Sequence, residues 1–158
     1  MARPRDPPAI EPGTVLSEFT RHEAAELATR WLEVFGRDRF GINTGAFLWH
    51  VFSYGRTPSL ALGAAWAAYE QQACRDYVVL SNERDAALVT DQRPTRTPFR
   101  DALVFPRNFA WTMALTHEDG WLGPYFARHP QHERLDAENA AGMKKARAIE
   151  QARLKGWR

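Results

Sequence analysis

The chain has 158 residues and a formal charge of +2, with 44% apolar and 25% charged residues. That is the size and composition of one globular domain, and it excludes disorder or a fibrous repeat for the bulk of the chain. The charge is uneven: residues 1–132 hold 14 Arg against 15 Asp and Glu, and residues 133–158 hold 7 Lys and Arg against 4 acids. A near-neutral body argues against a nucleic-acid groove, which needs clustered cations for phosphate contacts. A single cysteine, Cys74, excludes an internal disulfide and a Cys-based zinc site, and reads as a small buried hydrophobe. The N-terminus has no apolar signal core and no stretch approaches the ~20 apolar residues of a membrane span, so a cytoplasmic location is expected.

Four Pro within residues 1–13 favour extended backbone, and residues 1–16 read as a Pro-rich arm. From Ser17 to Gly36, a Ser17 or Thr20 cap and the spacing of Leu27, Trp31, Leu32 and Phe35 predict a first helix. The stretch Phe-Leu-Trp-His-Val-Phe-Ser-Tyr at 47–54 is bulky on both parities and predicts a central strand covered on both faces, with His50 inside an aromatic layer. The Ala-rich run from Ser59 to Ala73 predicts a second helix, whose small side chains lead us to expect deeper burial than for the first. Tyr77–Leu80 and Ala86–Thr90, separated by a turn containing Asn82, predict a hairpin, and 102–105 a further strand.

The most regular pattern runs from Phe109 to His117. Phe109, Trp111, Met113, Leu115 and His117 alternate with Ala110, Thr112, Ala114 and Thr116, which is the period of a strand. Its small face would sit against a closely approaching element such as the Ala-rich helix, or face solvent. A last strand is predicted at 124–127. Residues 129–158 have high helical propensity and few large apolar groups, so a basic, weakly buried helical tail is expected. The predicted architecture is α+β: one domain over 17–128, two helices packed on a mostly antiparallel sheet of four to six strands, followed by a C-terminal helix over 129–158.

Chemistry-bearing residues are few. Thr116-His117-Glu118-Asp119 offers an imidazole and two carboxylates at a strand end, suited to general acid or base work; the bland alternative is a turn with solvated carboxylates. His50 would meet His117 if their elements are neighbours, with Glu118 or Asp76 completing a transition-metal set; otherwise it is a core histidine bonded to backbone. His22, His129 and His132 lie near element ends and read as solvated. Trp49, Trp111 and Tyr125 are candidate walls of a small-molecule pocket. Neither a phosphate-binding Gly-rich loop nor a Gly-x-Ser-x-Gly elbow is present, and no cofactor or metal is assigned. The tail cations Lys144, Lys145, Arg147, Arg153, Lys155 and Arg158 are the one place where nucleic acid or an acidic protein would be contacted; a solvated helix explains them equally.

Together, the segment at 47–54, Phe-Pro-Arg-Asn-Phe-Ala-Trp-Thr-Met at 105–113, Thr-His-Glu at 116–118 and Gly-Pro-Tyr-Phe at 123–126 resemble a family of small bacterial proteins of unknown function. The resemblance covers roughly 17–128 and implies a bacterial single-domain protein, without assigning a catalytic residue. The leading functional expectation is a non-enzymatic protein-binding domain of the immunity type that occludes a toxin. The alternatives are an enzyme using His50, His117 and Glu118, supported by Asp119 or Asp76, and a small-molecule binder. Geometry separates the first two. An enzyme needs the His50 and His117 rings to converge on a solvent-reachable cleft, whereas a binding protein has them buried apart.

Overall fold

A computed structural model describes residues 10–37, 39, 41–42, 44–53, 57–117 and 123–156. Among the described residues seven strands form one sheet in the order β1-β4-β3-β5-β6-β7-β2, and every pairing is antiparallel. In chain order the elements are β1 (Val15–Glu18), α1 (Arg21–Phe35), a 3₁₀ segment (Leu48–Phe52), β2 (Leu60–Ala61), α2 (Leu62–Glu70), β3 (Tyr77–Ser81), β4 (Ala87–Thr90), β5 (Ala102–Phe105), β6 (Trp111–Leu115), β7 (Tyr125–Arg128) and α3 (His132–Leu154). The fold is therefore α+β with a C-terminal helix, as the pattern predicts, but the sheet is larger than four to six strands. Its two additions, β1 and β2, are four and two residues long, too short to show a period. Val15 and Leu16, read as part of the arm, lie in β1, and Thr14 ahead of them donates its N–H to Asp91 Oδ1 at 2.8 Å.

Both faces of the sheet are covered. α1 and the 3₁₀ segment lie on one, over Val78, Leu80, Leu103, Phe105 and Ala114. The other carries α2 and the start of α3, over Val79, Val104, Trp111, Met113 and Phe126. The split follows strand parity, since successive side chains point to opposite sides. Helix α1 opens on a capping box: the Thr20 hydroxyl accepts the Glu23 N–H, and Glu23 Oε1 accepts the Thr20 N–H. The hydrogen bonds from Thr20 hold the exposed Glu23 carboxyl below its usual range. Ala24, Ala28, Trp31 and Phe35 form its buried stripe, and the Trp31 indole donates to Thr112 Oγ1 at 2.9 Å. The small face of β6 thus receives α1, not the Ala-rich helix.

Three further expectations are corrected. Residues 48–52 do not form a strand: the Ser53 N–H bonds back to His50 O, and the Leu48 N–H goes to the Asn82 side chain at 2.8 Å, so no ladder is needed. A continuous apolar run fits a buried 3₁₀ turn as well as a two-faced strand, because both bury every large side chain. Helix α2 is less buried than α1, with only Ala65 and Tyr69 buried, because it caps the β7–β2 edge and turns Ala64 and Ala67 to water. The period of two also fails at the N-terminal end of β6. Phe109 has φ +59, a left-handed value strained for a bulky residue, and its ring packs with the α1-side core against Phe105 at 4.8 Å, away from Trp111 and Met113. Cys74 is buried as expected, and burial pushes its thiol up to about 12, so it stays protonated and unreactive at neutral pH. Of α3, only Leu135 is buried among the described residues.

Candidate functional site

On the α1 side, at one end of the sheet, stands the carboxylate of Asp101. Antiparallel pairing sets it there: Ala102 faces Leu115 across β5–β6 and Ser81 across β3–β5, so Asp101 stands beside the end of β6 and next to Asn82. The His117 N–H donates to Asp101 Oδ1 at 2.6 Å, and the Asn82 N–H to the Asp101 carbonyl at 3.1 Å. Asn82, read from sequence as a turn residue, also fastens the 3₁₀ segment. Its Oδ1 accepts the Leu48 N–H, and its Nδ2 donates to Ala46 O at 2.8 Å. This places Trp49 so that its indole N–H donates to Asp101 Oδ2 at 3.2 Å.

The imidazole of His117 completes the cluster, with Nδ1 at 2.8 Å from Asp101 Oδ1 and 2.9 Å from Oδ2. Its side chain is 19% exposed, while that of Asp101 is 4% exposed. An ionised carboxylate only accepts, so Nδ1 carries the proton and the lone pair of the neutral ring lies on Nε2. Asp101 thereby fixes both the tautomer and the plane of the ring, and it would stabilise the imidazolium if His117 took up a second proton.

His50 joins the same assembly through aromatic contacts. The Phe47 ring lies 5.3 Å from His117 and 5.5 Å from His50, so both imidazoles rest on one phenyl group. Trp49 stacks on His50 at 4.5 Å and against Tyr125 at 6.0 Å, and His50 Nδ1 pairs with Ser53 Oγ at 3.2 Å. Tyr125 is delivered by Gly123, whose φ of +110 favours glycine and where a Cβ would stand 2.8 Å from Thr116 Oγ1.

Of the predicted site residues, His50, His117, Trp49 and Tyr125 are brought together. Trp111 is not: it faces the α2 side, so these three aromatic residues do not wall one pocket. Asp76 lies at the other end of β3, paired with Arg107 at 3.1 Å, and cannot join His117. Glu118, Asp119 and Tyr54 fall outside the described residues. His22 pairs with Glu26 at an exposed site. Desolvation and the nearby cations Arg37 and Arg134 lower the pKa of the partly buried His129. Among the described residues, no three His, Cys, Asp or Glu side chains gather closely enough to hold a metal ion, and no helix is long and apolar enough to cross a membrane. Five clefts bounded by described residues have neither imidazole in their lining.

Asp101 is the residue that sequence reasoning missed. In Phe-Arg-Asp-Ala-Leu-Val-Phe it reads as the polar edge of a strand, and the one signal is an acid placed directly before an apolar strand whose partner ends in His. Three of the four sequence segments that carry the family resemblance, at 47–54, 116–118 and 123–126, contribute Phe47, Trp49, His50, His117 and Tyr125 to this one cluster. Neither the curated proteins nor the solved structures contain a match to the chain. Residues 20–126 match the domain of unknown function DUF4275, and the chain belongs to that family.

Proposed function

We propose that the domain carries an acid/base site in which His117 exchanges a proton with a bound molecule, oriented by Asp101 and flanked by His50. One observation carries this reading: both oxygens of the buried Asp101 carboxylate stand within 2.9 Å of His117 Nδ1. The two imidazoles also both contact the Phe47 ring, which brings a second titratable side chain close to His117. Asp101 is then a positioning residue and His117 the proton carrier. Glu118 remains the second acid/base candidate on sequence grounds.

The test is turnover of a panel of activated carboxylic and phosphate esters by wild type, His117→Gln and Asp101→Asn. General acid/base catalysis contributes roughly 10²–10⁴-fold. The expected result is a rate that falls by about 10²-fold or more in His117→Gln. Equal rates for wild type and His117→Gln on every ester would sink the proposal.

A second reading, an immunity-type protein that binds a toxin, is supported by a different surface. Leu60 and Leu62 are 44% and 42% exposed at the sheet edge, beside the solvent-facing Ala64 and Ala67. Pull-down from the native host is its test, and recovery of no dominant partner under gentle conditions would count against it.

A further inference from the structure

On the face of the sheet opposite the Asp101–His117 pair, a cleft of about 200 Å³ lies between α2, the 95–100 connection and the end of β6. Trp66 and Phe99, both partly buried against the α2-side core, form its aromatic walls, and Leu115 adds an apolar surface. Arg96 and Arg100 line it, and among the described residues no acidic side chain does. Arg96 has one ion pair, to Glu11 at 3.8 Å, between two exposed side chains. Such a contact contributes little and exchanges readily. Arg100 makes no ion pair or side-chain hydrogen bond with any described residue.

Two guanidinium groups beside two aromatic rings form a site of definite chemistry. Guanidinium groups pair with planar oxyanions through parallel N–H donors, while aromatic walls accept a flat apolar group. The two lining guanidinium groups favour an anion there over a neutral molecule. The volume is below the roughly 300 Å³ at which drug-sized sites begin, which limits the occupant to about one ring and one acidic group. From this we infer that the cleft binds a small aromatic carboxylate, its ring between Trp66 and Phe99 and its carboxylate on Arg96 and Arg100. The site shares no residue with the Asp101–His117 pair, although Arg100 and Thr116 are chain neighbours of that pair.

The experiment is titration of the ¹⁵N-labelled full chain with benzoate, with benzamide as its neutral counterpart and inorganic phosphate as a bare oxyanion. The Trp66 indole and Arg100 guanidinium signals report occupancy. Benzoate is expected to shift both with a dissociation constant of about 1 mM or tighter, on the scale accessible to a single-ring ligand. Benzamide should bind at least tenfold more weakly. Arg100→Ala should lose at least tenfold in benzoate affinity while keeping the unfolding midpoint of wild type, since Arg100 is exposed. Trp66→Leu should lose benzoate but not phosphate affinity. Equal affinity for benzamide, unchanged affinity in Arg100→Ala, phosphate binding as tight as benzoate, or no shift at 10 mM benzoate would each overturn the inference.

Discussion

Replacing Asp101 by Ala is expected to destabilise the domain by about 3 kcal/mol or more, because each buried donor left without an acceptor costs about 1–3 kcal/mol. Three donors depend on this carboxylate: the His117 N–H, His117 Nδ1–H and the Trp49 indole N–H. His117→Ala should cost clearly less, since it removes one of the three and leaves Asp101 with the other two. Urea unfolding of both variants and of the double variant measures the difference. A coupling energy of about 0.5–3 kcal/mol between the two sites is expected for groups in direct contact. Equal costs for the two single variants would contradict the view of Asp101 as the hub that joins the end of β6 to the 3₁₀ segment.

Removal of Trp111 should have an effect of similar or larger size but of a different kind. Its ring is 1% exposed and lies 5.7 Å from Tyr69, 6.1 Å from Tyr77 and 5.8 Å from Phe126, at the centre of the α2-side core. Deletion of a large buried aromatic side chain costs about 3–5 kcal/mol, through lost transfer energy and the cavity left behind. At the roughly 2–4 °C per kcal/mol typical of a domain this long, the unfolding midpoint of Trp111→Ala should fall by about 6–20 °C. The sheet separates this ring from Asp101, so the NMR signals of the His117 ring should be unchanged in the folded variant. A large shift of those signals would mean that the two faces are not independent.

Much of the architecture could be read from the chain. The Thr20 cap, the Trp31 stripe, the β3–β4 hairpin and the alternation through Trp111 and Met113 each arise from interactions between residues close in sequence, and periodicity records those directly. Where the outcome depended on distant partners, the pattern misled. Residues 48–52 became a 3₁₀ turn because Asn82, 34 residues away, accepts the Leu48 N–H. The Ala-rich helix was expected to be deeply buried, but its place at the sheet edge leaves it half in water, and no local feature encodes which helix takes the edge.

The candidate site was legible in its histidines and not in its organising acid. His50 and His117 stood out as titratable rings in apolar or strand-end contexts. Asp101 reaches its partners across 16 residues to His117 and 52 to Trp49, and it does so only once the β5–β6 register is fixed. An acid before a strand is ordinary in sequence; its burial beside an imidazole is a property of the sheet.

The most direct test of the account is the tautomer of His117, read from long-range ¹H–¹⁵N correlations of the neutral ring in the folded protein. The account predicts a proton on Nδ1 with Nε2 unprotonated, and loss of that preference in Asp101→Ala. A neutral ring carrying its proton on Nε2, with Nδ1 unprotonated, would contradict it, because Asp101 would then not be holding the ring through Nδ1–H.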